Sequence, residues 1–356
     1  MSNKELLEID GSFGEGGGSI LRLSAGFSIL FNRPIRVINI RANRPNPGLR
    51  LQHLLGLKTL AKLTGSKLSK CQVGSTEITF YPKLESIVRD ININVETAAN
   101  IGLLLQPIQI AFMNVLSNEP IRINFNGGGT FGKWAPSLNY LKDVTYEIFK
   151  KAGYKIEIKI YKHGFYPKGG ARVSAIIFPP KGEIKPINLT EIGEIKEIKG
   201  SIIITNQLKS IKSNIPDRIK RMIINTIENE LSYPININIK WVQSRSPGVG
   251  LHLFAPSNKG AIISSGTILG EKGISSEKLG RMAAKKLISY IKNNIPVDDY
   301  LSDQLIPLMG ITRDTSKIKV LSFTNHAKTN LALMKKFTQR EYKLIKEQNH
   351  HIIQVL

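Results

Sequence analysis

Two stretches of this chain repeat one order of signals: helix, glycine stop, strand, glycine turn, strand, proline. In the first, Pro47-Gly48 precedes a helix with apolar residues at Leu51, Leu54, Leu57 and Ala61, and Gly65 stops it. Gly74, the alternating Glu77-Ile78-Thr79-Phe80 and then Pro82 follow. In the second, a helix opens at Pro136, sets Leu141, Val144, Ile148 and Ala152 on one face and stops at Gly153. Lys155 to Ile160 then alternates, and Gly169-Gly170 leads into Val173 to Phe178 and Pro179-Pro180. Apolar spacing of three and four marks a half-buried helix, and spacing of two marks a strand with one covered face. The pattern predicts an α/β chain built on a repeated unit of roughly 80–100 residues.

From about Pro186 to Gly273 the character changes. Ile202-Ile203-Ile204 is a short apolar strand, and Pro216-Asp217 opens a basic helix. Pro234 to Val242 puts Ile235, Ile237, Ile239 and Trp241 on one strand face, with further strands at Leu251 to Phe254 and Ala261 to Ser264. This segment is predicted to be an inserted α+β module. A helix at Glu277 to Ile291 returns to the main pattern, followed by a helix at Thr329 to Phe337 and a hairpin at Glu341 to Leu356. The apolar run Val95 to Leu116 is broken by Asn100, Gln106, Pro107, Gln109 and Asn114, so it is predicted as a core helix. A membrane span needs about 20 mostly apolar residues.

Charge is the outlying property. Fifty Lys and Arg against 27 Asp and Glu give a net charge of +23, a field that attracts polyanions. The single cysteine, Cys71, excludes an intrachain disulfide and a cysteine-based zinc cluster. Met1 to Asp10 has no apolar core of a secretory signal, so a cytoplasmic protein without a membrane segment is expected.

Three groups of residues carry possible chemistry. Gly11-Ser12-Phe13-Gly14-Glu15-Gly16-Gly17-Gly18 lies between a strand and a helix, where glycines let amides approach a phosphate. No Gly-Lys-Ser/Thr closes the loop, so it is not a Walker A loop. Glu15 would repel a phosphate unless a divalent cation bridged the two, and a tight turn with an exposed glutamate is the alternative. Arg22, Arg33, Arg36, Arg41, Arg44 and Arg50 crowd the first fifty residues, and arginine's planar fork suits bidentate phosphate contacts. A solvated basic face is the other reading. His326, in Thr324-Asn325-His326-Ala327-Lys328-Thr329-Asn330, is predicted just ahead of a helix amid small polar groups. A neutral imidazole there could attack phosphorus, although most histidines are surface or core residues.

Together these blocks resemble the RNA 3′-terminal phosphate cyclase family. Ile9-Asp10-Gly11 with Gly14-Glu15-Gly16-Gly17-Gly18 and Ile20-Leu21-Arg22 is similar to its opening, and Arg41-Ala42-Asn43-Arg44 through Pro47-Gly48-Leu49 with Gln52-His53-Leu54 to its second block. His163-Gly164-Phe165-Tyr166-Pro167 with Gly169-Gly170, Tyr300-Leu301-Ser302-Asp303-Gln304-Leu305, and His326 with Thr329-Asn330 follow in the family's order. The sequence departs from the pattern at Phe131, Asn46 and Leu51.

The resemblance implies a large domain of three repeated α/β units like the C-terminal domain of translation initiation factor three, with a smaller α/β domain inserted. The first two units would fall at 1–185, the insert at 186–273 and the third unit at 274–356. It implies ATP-dependent conversion of an RNA 3′-phosphate to a 2′,3′-cyclic phosphate with Mg²⁺ or Mn²⁺. His326 would be the nucleophile taking AMP, and Glu15 would hold the metal. Arg22, Arg41, Arg44 and Gln52 would lie near the triphosphate or the RNA phosphate. Gln106 with Tyr300, Leu301, Ser302, Asp303 and Gln304 would form the nucleotide pocket, with His163, Phe165 and Tyr166 shaping the fold or that pocket. A homodimer is left open. Two rivals remain: a non-catalytic relative acting in ribosome assembly, against which His326 argues, and a general RNA-binding protein suggested by the charge.

Overall fold

The computed structural model describes residues 5–14, 16–84, 86–115, 117, 119–133, 135–209 and 214–356. The first unit runs β1 (Leu7–Asp10), α1 (Gly18–Leu30), β2 (Ile35–Ile38), α2 (Leu51–Thr64), β3 (Lys67–Leu68) and β4 (Ile78–Tyr81). Its α2 buries Leu57, Leu60 and Leu63; of the expected stripe only Leu57 is buried, Leu54 and Ala61 are half-buried and Leu51 is exposed. Gly65 ends the helix in the left-handed conformation at φ 70°. The second unit runs β5 (Asp90–Asn100), α3 (Ile101–Ala111), β6 (Ile121–Gly129), α4 (Leu138–Tyr140), α5 (Tyr146–Lys151), β7 (Lys155–Lys162) and β8 (Arg172–Phe178). A π-helical segment, Leu141–Thr145, joins α4 to α5, and Ser137 caps α4 by accepting the Tyr140 amide.

The third unit starts with β9 (Asn188–Leu189) and is then interrupted. The interruption holds β10 (Ile198–Thr205), α6 (Ile215–Glu228), β11 (Ile235–Val242), β12 (Val249–Pro256), β13 (Ile262–Ser264), β14 (Ile268–Leu269) and α7 (Ser276–Lys292). It resumes with α8 (Asp299–Met309), β15 (Ser316–Val320), α9 (Asn325–Thr338), β16 (Tyr342–Lys346) and β17 (His351–Val355).

Strand order shows the repetition directly. The three unit sheets are β1-β2-β4-β3, β5-β6-β8-β7 and β9-β15-β17-β16. In each, the first two strands pair parallel and the other pairings are antiparallel. The fold is therefore mixed α/β, with three copies of one unit and an inserted sheet, β11-β10-β12-β13, with β14 on β12. One continuous apolar core joins them, with α1 and α3 buried on nearly every side between the units.

Two expectations change. The run from Val95 is not one helix: β5 buries alternate residues and continues to Asn100, whose side chain then accepts the Leu103 amide and starts α3. The last helix begins at Asn325, so His326 lies within its first turn and not ahead of it. Helix α7 packs on α6 and against β12, β13 and β14, whereas β9 pairs with β15. On these pairings we propose limits of about 190–293 for the insert, later at both ends than 186–273.

Candidate active site

Parallel packing of α1 and α9 creates the site. At one end Phe337 lies 5.4 Å from Phe27, ring centre to ring centre, and 6.1 Å from Phe31. At the other, Gly14, just ahead of α1, faces Thr329: a β-carbon on Gly14 would sit 2.2 Å from the Thr329 hydroxyl oxygen. Both N-termini thus lie at the same end, on either side of the glycine loop. Helix N-termini present free amides and a partial positive charge, and so favour an anion.

The loop is braced from beneath. Asp10 accepts both the amide and the hydroxyl of Ser12, at 2.9 and 2.7 Å, and these bonds hold its carboxyl below the usual range. Asn43 donates to the Ser12 carbonyl at 3.1 Å. Gly17 and Gly18 leave room for neighbours: a β-carbon would come within 2.9 Å of Arg44 Nη2 at Gly17, and within 2.2 Å of His53 Nε2 and 2.9 Å of Arg22 Nη1 at Gly18. Arg22 Nε donates to Gln106 Oε1 at 2.8 Å, which ties α1 to α3. Burial pulls the Arg22 guanidinium down to about 10, so it stays charged at neutral pH. Glu15, the expected metal ligand, lies outside the described residues.

Arg41 is placed differently from Arg22 and Arg44. It sits in the left-handed region at φ 56° and its Nη1 donates to the carbonyls of Asn46 and Gly48. Much of its fork therefore holds its own loop. Burial and the charges of Arg50 and Arg44 lower its pKa. His53 lies in the second motif, and the sequence assigns it no role. Its Nδ1 accepts the Arg50 amide at 3.2 Å, and burial, with Arg22, Arg41 and Arg50 around it, pulls it down to about 3. Three arginines thus surround a neutral imidazole beside the glycine loop.

Helix α8 meets α9 beside His326. Thr324 caps α9 by accepting the Ala327 amide at 2.9 Å and donates to Asp303 Oδ1 at 3.4 Å. Asn330 donates to the Asp303 carbonyl at 3.1 Å. Within the Tyr300-to-Gln304 block, Tyr300 and Asp303 are half-buried and share a helix face at i and i+3, while the other three point inward. Leu301 is in the core, Ser302 donates to the Asp299 carbonyl, and Gln304 accepts from Gln109 at 3.1 Å. Gln52 directly precedes His53 in α2. It lines a cavity of about 650 Å³ with Asn100, Phe131, Lys133 and Tyr166. Phe165 stacks on Phe131 at 5.0 Å, His163 Nδ1 is 3.0 Å from the Thr130 hydroxyl, and Tyr166 is 82% exposed.

Asp298 was missed. It is wholly buried, caps α8 through the amides of Tyr300 and Leu301, and takes the Tyr140 hydroxyl on both oxygens. Burial pushes its carboxyl up to about 6. The acidic pair Asp298-Asp299 ahead of an apolar run was a readable N-cap signal. Among the described residues, no group of three or more His, Cys, Asp or Glu could hold a metal ion. Among them, too, no helix is long and apolar enough to cross a membrane.

Three repeated α/β units, with a glycine loop ahead of α1 and a histidine on the adjoining helix, define the class of protein. A family model described as RNA 3′-terminal phosphate cyclase matches residues 13–344. Proteins carrying that name are similar along nearly their whole length. That of Thermococcus kodakarensis is 36% identical over 334 residues, covering 94% of this chain and 93% of its own. That of Methanopyrus kandleri is 34% identical over 338 residues, covering 93% of each, and that of Methanosarcina barkeri 36% over 347, covering 96% and 98%. The chain belongs to the RNA 3′-terminal phosphate cyclase family.

Proposed function

We propose that this protein uses ATP to convert an RNA 3′-terminal phosphate into a 2′,3′-cyclic phosphodiester, through AMP carried on His326. The observation that carries the reading is the seating of the Gly14 turn on α9, which brings the glycine loop, Arg22, Arg44 and the His326 turn to one place. Such a site has no use for a simple RNA binder, which needs neither a nucleotide loop nor a nucleophile.

The chemistry runs in three steps. An imidazole nitrogen of His326 forms a bond to the α-phosphorus of ATP, and the bond to pyrophosphate breaks. An oxygen of the RNA 3′-phosphate then attacks that phosphorus and displaces His326, leaving RNA capped with AMP through a pyrophosphate bond. Finally the neighbouring 2′-oxygen attacks the terminal RNA phosphorus, loses its proton and expels AMP. The last step is intramolecular, so orientation supplies much of the rate. Arg22 and Arg44 and the two helix N-termini would neutralise charge developing on phosphate oxygens. Mg²⁺ or Mn²⁺ entering with ATP would add Lewis-acid charge there. Such ions commonly take only one or two protein carboxylates plus substrate phosphates, and Glu15 is the residue we propose for that contact. Tyr300 and Asp303, on the outward face of α8, are the residues we propose for the nucleotide.

The test is labelling of the protein by ATP carrying a labelled α-phosphate, without RNA. The bond is expected to be acid-labile and alkali-stable, as a phosphoramidate is. His326→Ala and His326→Asn are expected to abolish it, while His350→Ala and His351→Ala label normally. Cyclisation by His326→Ala at the wild-type rate would overturn the mechanism.

A further inference from the structure

Tyr161, near the end of β7, and Trp241, near the end of β11, line one groove of about 460 Å³ between the second unit and the insert. Both strands are sheet edges. The other charged or titratable residues lining the groove are Lys162, Arg172, Lys240 and His163, with no carboxylate among them. Lys159 Nζ and the Arg172 guanidinium lie 5.0 and 5.2 Å from the Tyr161 ring centre, and Lys209 Nζ lies 5.3 Å from that of Trp241. Tyr161 is 51% exposed.

Charge pairing elsewhere sets this groove apart. On the insert, Lys199 pairs with Glu197, Arg218 with Glu277, Lys259 with Glu191 and Lys292 with Glu230. Among the described residues, none of Lys159, Lys162, Arg172, Lys209 or Lys240 is in an ion pair. The groove lining itself gathers cations beside two aromatic rings and contains no acid, the nearest on that face of β7 being Glu157, which pairs with Lys155. Cations that track a backbone, beside rings that accept stacked bases, are what single-stranded nucleic acid requires.

The groove also adjoins the cavity lined by Gln52, the residue before His53. One loop serves both: His163 lines the groove, while Phe165 and Tyr166 line the cavity that contains Gln52. Three peptide steps separate His163 from Tyr166, so their α-carbons are at most about 11 Å apart. We infer that the groove holds the single-stranded nucleotides just upstream of the RNA 3′ end, with bases stacked on Tyr161 and Trp241 and phosphates taken by Lys162, Arg172 and Lys240. The inference rests on the cyclase reading for where the 3′ end lies. Stacking accepts every base, so the groove would add affinity and length preference without sequence preference.

The experiment measures binding of fluorescent RNA by anisotropy, with a trinucleotide and a dodecamer, each ending in 3′-phosphate or 3′-hydroxyl. The wild type is expected to bind the dodecamer more tightly than the trinucleotide whichever group ends it. Tyr161→Ala and Trp241→Ala are each expected to weaken the dodecamer by about 5- to 150-fold, the range for one lost stacking contact. The trinucleotide should change by less than about twofold. Trp241→Phe, which keeps a ring, should bind as the wild type does. Lys162→Ala with Arg172→Ala should flatten the slope of log affinity against log salt by about 1.4, at about 0.7 per phosphate contact. Equal affinity for both lengths, unaltered dodecamer binding by the alanine variants, or equal loss in Trp241→Phe and Trp241→Ala would each overturn the groove. Absence of cyclic product with these binding differences intact would overturn the cyclase reading and leave the groove standing.

Discussion

Gly14 and Thr329 are so closely apposed that a β-carbon on Gly14 would lie 2.2 Å from the Thr329 hydroxyl oxygen, and Gly14 holds φ at 63°. Thr329 is one helical turn beyond His326, so this contact sets the height of the loop against the proposed nucleophile. Gly14→Ala must push the loop away and also carries a left-handed penalty of about 1–2 kcal/mol. It is expected to slow protein labelling by ATP about 100-fold, the scale for misplacement by about 1 Å, while melting falls only slightly. Thr329→Ala in the same chain removes the obstructing hydroxyl and should recover part of the labelling. Normal labelling by Gly14→Ala alone would show that the apposition has no bearing on the chemistry.

Arg41 and Arg44 look equivalent in the sequence but differ in the fold. Arg41 donates to the carbonyls of Asn46 and Gly48, whereas Arg44 stands over Gly17. Arg41→Ala strips two carbonyls of a charged donor and is expected to cost about 1–3 kcal/mol in urea unfolding. Arg44→Ala is expected to cost less stability and to weaken ATP more. Equal stability losses with equal losses in ATP affinity would erase this division of roles.

The first two units were legible because each keeps its helix, stop and strands consecutive. The third was hidden because its opening strand, Asn188–Leu189, is two residues long and the whole insert separates it from its partner β15. Hydrophobicity alone joined β5 to α3, since both are apolar; the division falls at Asn100, a polar cap within that run. The loop glycines, Arg22, Arg44 and His326 were visible as residue types in sequence order. The parallel pairing of α1 with α9 was not, nor was the inward turn of Arg41. Both depend on contacts between units far apart in the chain, which no local pattern encodes.

Asp298 gives a pH signature. Its folded carboxyl sits at about 6, above the ordinary value near 3.9. Between about pH 4 and 6 the folded chain therefore holds the extra proton, and this group's contribution to stability falls as pH rises through that window. Above about pH 6 the full cost is present, on the order of 2–3 kcal/mol for about two units. Asp298→Asn retains an acceptor for Tyr140 and for the α8 amides but does not ionise. Its stability relative to the wild type should rise by that amount from pH 4 to 6 in urea titrations. A gap that stays constant across the window would refute the shift.

His53 should produce the opposite slope. In the folded chain it sits at about 3, against an ordinary value near 6.5, because it is buried among Arg22, Arg41 and Arg50. Below about pH 6.5 the unfolded chain takes a proton that the folded chain refuses. Stability is then lost as pH falls, by up to about 1.4 kcal/mol per unit. His163, lowered to about 4 by burial and Lys240, acts in the same direction, while Asp298 acts against both. The wild-type profile is therefore a sum of opposing slopes, and the informative quantity is the difference between variant and wild type. His53→Gln, tested beside His163→Gln, should lose less stability than the wild type between pH 6.5 and 4. A His53→Gln profile parallel to the wild type would mean that His53 protonates freely in the fold, and that the arginines around the glycine loop do not act on it as a fixed positive cluster.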